Sequence, residues 1–331
     1  HEVETLKRSL SHLDGPGSRV GKESSMTSNY VEDLSSFVGN VEASPSVAVD
    51  PAGGAASGFA SKVLGRIGCN VTSLNDAPCS SSRSPDPTSD ELSDLRNAVL
   101  HSKCDAGFAF DLDGDRLVVV DGNGNKLDAD ATLLLCVSRA IEMGAREIVV
   151  SVDTSDAVRE LAEANNCRVA YSKVGEANVV SAMQQKKISM GGEGSSGGFI
   201  MGDFNLCRDG LLASAVIAGM LRGKKFQECM QIASGYHLLR RKVDVESALH
   251  AAVLDDITDS LEGECSSVDH LDGAKGFFDD RSWVLIRGSN TEESIRISVQ
   301  SADEERSRSL YKGYELRVRE AYEKAKRARN N

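Results

Sequence analysis

The chain has 331 residues, and its 50 acidic residues against 38 basic ones give a formal net charge of −12. That length is enough for two or three domains of roughly 100–200 residues each, with a sizeable buried core. The excess of acid argues against a nucleic-acid-binding protein, which needs a basic face, but leaves room for a small basic pocket that binds a phosphorylated metabolite.

The sequence predicts a cytoplasmic protein with reduced thiols. No apolar run approaches the roughly 20 residues that cross a bilayer, so we expect no membrane association. The eight cysteines form neither a C-x-x-C pair nor a cluster with histidine, and zinc binding is not expected. The first residue is His1 rather than Met, in a charged and polar stretch unlike a signal peptide, which suggests that an upstream segment is missing.

Strands and helices alternate twice along the first two thirds of the chain, which is typical of α/β domains with mostly parallel sheets. The first round of predicted strands covers 46–50, 69–74, 106–110 and 117–120, with helices after the 51–54 turn, after Ser89 as the cap, and over 131–143. The second round has strands at 147–152, 168–172, 188–190 and 198–201, with helices at 155–164, 177–185 and 209–221.

From about residue 237 the pattern changes to strands at 239–243, 283–287 and 295–300 and helices at 246–261 and 304–327. The predicted fold class is therefore α/β: two consecutive three-layer α/β domains with mixed, mostly parallel sheets, plus a C-terminal α+β domain. We place these domains at 44–142, 143–236 and 237–331, preceded by a polar segment over 1–43.

Three aspartates follow a predicted strand in the segment F-D-L-D-G-D-R. Asp111, Asp113 and Asp115 stand at alternate positions of a turn and can converge on one hard cation such as Mg²⁺. An EF-hand loop also begins D-x-D-x-D, but it needs Gly and Glu where this chain has Arg116 and Gly122. The other alternative is a solvated acidic turn without an ion, although the mutual repulsion of three close carboxylates favours a bound cation.

A run of glycine and serine covers residues 191–198. Its glycines allow the backbone to approach a ligand closely, while Glu193, Ser195 and Ser196 offer donors and acceptors for sugar hydroxyls. The run also fits the G-x-S-x-G elbow of α/β-hydrolases, with Ser196 as the nucleophile, but that elbow needs a helix where 199–201 predicts a strand. A flexible hairpin turn without a ligand is the third alternative.

A third segment, R-G-S-N-T, follows an apolar run near the C-terminus. Arg287 offers a forked donor, and the loop with Ser289, Asn290 and Thr291 offers N–H and hydroxyl groups, so the segment could bind a phosphate. Arg296 is near enough in sequence to assist. The same residues are also ordinary turn composition.

Two smaller features have simple explanations. Lys173 and Glu176 lie on a turn after a strand, where they could do acid–base or phosphate work or could be solvated surface residues. The segment Arg208-Asp209-Gly210 is predicted to mark the start of the next helix.

Together the three loops resemble those of the α-D-phosphohexomutase superfamily, which comprises phosphoglucomutases, phosphomannomutases and phosphoglucosamine mutases. The D-L-D-G-D-R segment is similar to that family's metal loop, D-x-D-x-D-R. Residues 192–197 resemble its sugar loop, G-E-x-S-G, and residues 287–292 its phosphate loop, R-x-S-x-T-E. The resemblance covers roughly 44–330, with the motifs in the family's order.

The resemblance implies an isomerase that moves a phosphoryl group between O6 and O1 of a hexose phosphate through a bisphosphate intermediate. The glycine-rich sugar loop favours phosphoglucosamine mutase or phosphomannomutase. The implied residues are Asp111, Asp113 and Asp115 for Mg²⁺, Arg116 and Lys173 for catalysis, Glu193, Ser195 and Ser196 for the sugar, and Arg287, Ser289, Asn290 and Thr291 for the non-reacting phosphate.

The chain departs from the family pattern in three places. Gly198 stands where the sugar loop usually has His, Glu176 where some members have His, and Glu293 where the phosphate loop usually has Pro. These departures leave the choice of sugar and the acid–base group open.

The family's phosphoserine loop, T-A-S-H-N-P, does not occur in the 331 residues. The resemblance therefore implies that 1–43 is the end of a first, phosphoserine-bearing domain and its linker, and that this chain alone is inactive. A face exposed by loss of that domain makes a homodimer possible. The alternative function is a non-catalytic, naturally truncated sugar-phosphate-binding protein.

Overall fold

The computed structural model describes residues 24–81, 83–289 and 291–330, which form three sheets in chain order. Within these ranges no helix has both the length and the apolar character needed to cross a bilayer. The predicted fold class is confirmed, because two α/β units with mixed sheets precede a C-terminal α+β unit.

The first sheet has the strand order β2-β1-β3-β4, in which β4 alone is antiparallel. Strands β1, β3 and β4 are almost wholly buried, because helices cover both faces, and they therefore read as continuous apolar runs. The elements are α1 (Ser24–Val38), β1 (Ser46–Asp50), α2 (Ala60–Arg66), β2 (Asn70–Ser73), α3 (Ser93–Ser102), β3 (Ala106–Phe110) and β4 (Leu117–Asp121).

The second sheet repeats this topology in the order β6-β5-β7-β8, again with only the last strand antiparallel. Helices α4 and α7 pack in one apolar core that also contains side chains of the first sheet, so they are apolar on nearly every side. The elements are α4 (Ala129–Glu142), β5 (Glu147–Ser151), α5 (Asp156–Ala164), β6 (Arg168–Ser172), α6 (Glu176–Lys186), β7 (Met190–Glu193), β8 (Gly198–Met201), α7 (Gly210–Ala218) and α8 (Lys224–Ala233).

The third sheet is antiparallel throughout, in the order β10-β11-β12-β13-β9, and has its own core with α9 and α10. A small apolar cluster around Val152, Trp283 and Leu285 joins it to the second unit. The elements are β9 (His237–Asp244), α9 (His250–Glu264), β10 (Ser267–Asp269), β11 (Ala274–Phe277), β12 (Trp283–Gly288), β13 (Ser294–Ser301) and α10 (Glu304–Asn330). The predicted domain boundaries stay predictions.

Two expected helix starts are wrong. Ser89 does not cap α3: its hydroxyl donates to the carbonyl of Asp86 at 3.1 Å, and the helix begins only at Ser93, after Leu92 in a left-handed conformation. The helix expected directly after the 51–54 turn begins at Ala60. The turn itself packs closely on the metal loop, since a Cβ at Gly54 would overlap the backbone of Leu112.

The repeated topology places two of the predicted loops at equivalent positions. The metal loop connects β3 to β4 in the first sheet, and the sugar loop connects β7 to β8 in the second. The two loops are in close contact, since a Cβ at Gly197 of the sugar loop would lie 2.5 Å from the carbonyl oxygen of Leu117. Gly197 also has a φ of +65°, which favours glycine.

Candidate metal and sugar-phosphate site

The metal loop brings three carboxylates together. One oxygen from each of Asp111, Asp113 and Asp115 lies within 4.8 Å of the others. Gly114 between them has a φ of +78°, a left-handed conformation that turns the chain back. Asp111 is buried, Asp113 is exposed and Asp115 is intermediate, so the cluster lies at the edge of the sheet with one side open.

The loop fits a divalent cation held by oxygen ligands. The Oδ1 atom of Asp115 is buried and, among the described residues, has no hydrogen-bond partner. Burial, a hydrogen bond with Asp111 and the charges of Asp111 and Asp113 raise the pKa of Asp115 to about 6. A bound cation would give the free oxygen a partner and relieve the repulsion.

Arg116 lies among three carboxylates. Its Nε is 2.6 Å from Oδ2 of Asp111, and its backbone N–H donates to Oδ1 of the same residue at 3.1 Å. Its Nη1 lies 3.1 Å from Asp86 in the loop before α3, and its Nε lies 3.6 Å from Oδ1 of Asp115. Burial disfavours the Asp111 charge, but these donors to its carboxylate help to lower its pKa overall.

Arg83 holds the strand ends from which the metal loop starts. Its Nε pairs with Oδ2 of Asp50 at 2.9 Å, and its Nη2 donates to the carbonyl oxygens of Asp50 and Phe110 at 3.0 and 2.5 Å. Because Phe110 is the last residue of β3, Arg83 ties the ends of β1 and β3 together directly before the first aspartate of the metal loop.

Arg208 connects the metal loop to the sugar loop. Its Nη2 pairs with Oδ2 of Asp115, and its Nη1 lies 3.0 Å from Oε2 of Glu193 and 3.4 Å from Oγ of Ser196. Its backbone N–H donates to Oε1 of Glu176 at 2.7 Å. The Nε of Arg208 lies 3.6 Å from Oε2 of Glu176, so four side chains, from the metal loop, the sugar loop and the N-terminus of α6, surround one guanidinium.

Glu193 is almost completely buried, at 3% exposure. Burial raises its pKa, while the charge of Arg208 and a hydrogen bond from the N–H of Gly175 oppose the rise. That N–H lies 2.6 Å from Oε1, so both oxygens of Glu193 are held.

Asp272 links the phosphate loop to the turn that carries Lys173. Arg287 is largely buried, with Nε 3.8 Å from Oδ2 of Asp272, and that carboxylate accepts from the N–H of Val174 at 3.1 Å. The hydroxyl of Ser289 accepts from the N–H of Thr291 at 3.5 Å.

Cross-strand pairing puts Arg287 opposite Arg296, and Arg296 opposite Lys242. Glu292 partly balances this row of cations, at 3.0 Å from Lys242 and 3.4 Å from Arg296. A basic strip thus borders the phosphate loop.

Two family profiles match the chain. One, phosphoglucomutase/phosphomannomutase alpha/beta/alpha domain II, matches residues 28–124, and the other, domain III of the same family, matches 128–236. The chain belongs to the α-D-phosphohexomutase superfamily.

Curated relatives agree with this assignment. A probable phosphoglucosamine mutase of Methanobrevibacter smithii is 32% identical over 88% of the chain, and a phosphoglucomutase/phosphomannomutase of Thermococcus kodakarensis is 34% identical over 84%. The chain spans 64% and 62% of the lengths of these two relatives, which is less than two thirds.

Solved structures show the same fold. A phosphoglucomutase/phosphomannomutase family protein of Burkholderia thailandensis superimposes with a TM-score of 0.76 at 18% identity, over 89% of this chain and 64% of that one. The N-acetylphosphoglucosamine mutase of Aspergillus fumigatus, in complex with GlcNAc-6P and magnesium, gives 0.61 at 16% identity, over 89% and 66%.

The structure distinguishes the two serines of the sugar loop. Ser196 faces Arg208, whereas Ser195 lines a neighbouring cavity of about 440 Å³ together with Asp130 and Arg240. Strand β8 follows the loop directly, so the helix that a hydrolase elbow needs is not there. Lys173 is exposed on its turn, and Asn290 lies outside the described residues.

Sequence reasoning missed the roles of Arg208 and Arg83. The Arg208-Asp209-Gly210 segment does mark the start of α7, as expected, because Asp209 caps that helix by accepting from the N–H of Leu212 at 2.9 Å. The expectation did not include the contacts of the Arg208 side chain. A usable signal was the position of Arg208, a lone cation between a buried strand and a buried helix in an acidic chain.

Proposed function

We propose that this chain carries the metal, sugar and phosphate sites of a phosphohexomutase that interconverts hexose 6-phosphates and hexose 1-phosphates. The single observation behind the proposal is that equivalent loops of two repeated sheets meet at Arg208, with Asp272 linking Arg287 of the phosphate loop to the neighbouring turn.

Each loop has its own role in the proposal. Asp111, Asp113 and Asp115 hold Mg²⁺, which when bound neutralises charge that develops on the transferring phosphoryl group. Arg116 lies beside that group, held in place by its carboxylate partners.

The sugar and its second phosphate bind away from the metal. Glu193 and Ser196, with Ser195 beside them, bind sugar hydroxyls. Arg287 and the hydroxyls of Ser289 and Thr291 grip the phosphate that does not react. Asn290 and Lys173 are assigned to the substrate from the sequence alone. A grip on the remote phosphate lets either end of the sugar be presented to one reactive centre.

The favoured substrates are glucosamine 6-phosphate and mannose 6-phosphate. Support comes from the glycine-rich sugar loop and from the names of the archaeal relatives, most of which are probable phosphoglucosamine mutases. The eight cysteines are free, as suits a cytoplasmic enzyme.

The proposal is tested by calorimetric titration of the chain with glucosamine, mannose and glucose 6-phosphates. We expect binding that Arg287→Ala weakens by at least about 10-fold, since a hydrogen bond to a charged group contributes roughly 1.5–3 kcal/mol. Arg319→Ala, on the exposed face of α10, is the matched control and should bind like the wild type. Binding of no hexose phosphate, or equal binding by Arg287→Ala, would contradict the proposal.

We also expect the 331 residues alone to bind substrate without isomerising it, since no T-A-S-H-N-P-like phosphoryl donor is among them. A coupled assay for hexose 1-phosphate, with the bisphosphate added, checks this. Turnover by this chain would show that a donor lies within it.

A further inference from the structure

Arg208 lies where three acidic segments meet. The metal loop supplies Asp115, the sugar loop supplies Glu193, and the N-terminus of α6 supplies Glu176. The side chain is only 19% exposed, and its Nε is buried without a hydrogen-bond partner in the described part of the chain. A guanidinium presents its donors in one rigid plane, so its contacts with the separate loops share a fixed geometry.

The contacts of Arg208 leave one particular oxygen free in the metal loop. Its Nη2 binds Oδ2 of Asp115, while Oδ1 of the same carboxylate is buried, has no hydrogen-bond partner among the described residues and lies 3.6 Å from Nε of Arg116. The guanidinium therefore holds Oδ2 and leaves Oδ1 available to a cation.

A glycine in the sugar loop makes room for this arrangement. A Cβ at Gly198 would overlap the aliphatic part of Arg208, so any larger residue there would push the arginine away from Glu193 and Asp115. The side chain of Arg208 therefore occupies the space that a side chain at position 198 would need.

We propose that Arg208 is a positioning residue that couples cation binding at the metal loop to the conformation of the sugar loop. A divalent cation withdraws charge from Asp115 and repels the guanidinium, which weakens one of its two strong contacts. Because the other contact is to Glu193, the displacement reaches the sugar loop and the N–H of Gly175 behind it. Such coupling requires that the contacts of Arg208 differ between the cation-free and the cation-bound state, and the weakened contact with Asp115 supplies that difference in the proposal.

The inference rests on the metal site of the proposed function, and hydrogen exchange measured by mass spectrometry separates the two. In the wild type, Mg²⁺ should change exchange at residues 111–116 and, by about 5-fold, at residues 192–198. In Arg208→Met the change at 111–116 should remain and the change at 192–198 should disappear.

Two further variants complete the test. Gly198→Ala, which keeps the charge of Arg208 but displaces its side chain, should also lose the response of the sugar loop to Mg²⁺. Arg222→Met removes a surface pair with Asp105 and is the matched control, so both responses should persist. Unchanged exchange in the third sheet reports that each variant is folded.

The outcomes are distinct. A sugar-loop response that survives in Arg208→Met or Gly198→Ala overturns the coupling, as does a wild type in which Mg²⁺ affects only residues 111–116. No response at 111–116 in the wild type overturns the metal site itself and with it the proposed function.

Discussion

Among single residues, Asp113 is the most direct test of the metal loop, because it is the exposed member of the three carboxylates. Asp113→Asn should weaken Mn²⁺ binding by at least about 10-fold, because the substitution removes one charged ligand and leaves the fold intact. Electron paramagnetic resonance measures the affinity for Mn²⁺.

Asp203→Asn is the control for this change. Asp203 is an exposed aspartate in the turn after β8, so its loss alters net charge equally and should leave the affinity unchanged. Equal weakening by both substitutions would show that general electrostatics, rather than ligation, attracts the ion.

Lys275 is a buried cation with an unusual environment. Its Nζ donates to the carbonyl of Val152 at 2.7 Å and lies 3.9 Å from the centre of the Trp283 ring. Burial lowers its pKa to about 8, against the attraction of Asp156 and Asp153, whereas an unfolded lysine titrates near 10.4.

The sign of the resulting pH dependence follows from these two pKa values. Between about pH 8 and 10.4 the unfolded chain binds more protons than the folded one, so the free energy of unfolding gains about 3 kcal/mol from this residue as the pH rises. Urea unfolding of wild type and Lys275→Met across that range should show the wild type gaining stability relative to the variant. A constant difference would refute the assignment.

At the scale of secondary structure, Arg83 joins the ends of two neighbouring strands. Arg83→Met should lower the free energy of unfolding by about 3 kcal/mol, because it leaves Oδ2 of the buried Asp50 carboxylate without its charged partner and removes the side-chain donor to the Phe110 carbonyl. Arg66→Met, which breaks an exposed pair with Glu32, should change it by less than about 1 kcal/mol. Urea unfolding compares the two, and similar losses would contradict the role of Arg83.

The strands that the sequence predicted best are those buried on both faces. The bounds of β1, β3 and β8 agree with the prediction, since each is an apolar run between polar turns. The bounds of β6 also agree, although this edge strand is half-exposed. Helix α8 was missed because only Phe226 and Cys229 on it are buried. Strands β10 and β11 were also missed, because they have three and four residues, too few to give an alternating pattern.

The candidate site divides in the same way. The metal, sugar and phosphate loops are continuous in sequence, so their chemistry was visible in it. The role of Arg208 was not, because it depends on contacts with residues 93, 32 and 15 positions away. Local patterns give such an arginine a place at the start of a helix and say nothing of what its side chain binds.

At the scale of the molecule, the third sheet is fastened to the second unit by polar as well as apolar contacts. Arg240 of β9 pairs with Asp130 at 2.6 Å, and Gln300 of β13 accepts from the N–H of Asp156 at 3.0 Å. These contacts, with that of Lys275, keep the sheet that carries Arg287 beside the unit that carries the sugar loop.

The central claim is that loops from three separate sheets form one site. The most direct test is a crystal structure of the chain with Mn²⁺ and glucosamine 6-phosphate, using anomalous scattering to place the metal. We predict the metal among Asp111, Asp113 and Asp115 and the phosphate at Arg287, with the sugar against Glu193 and Ser196. A metal elsewhere, or a phosphate away from Arg287, would contradict the account.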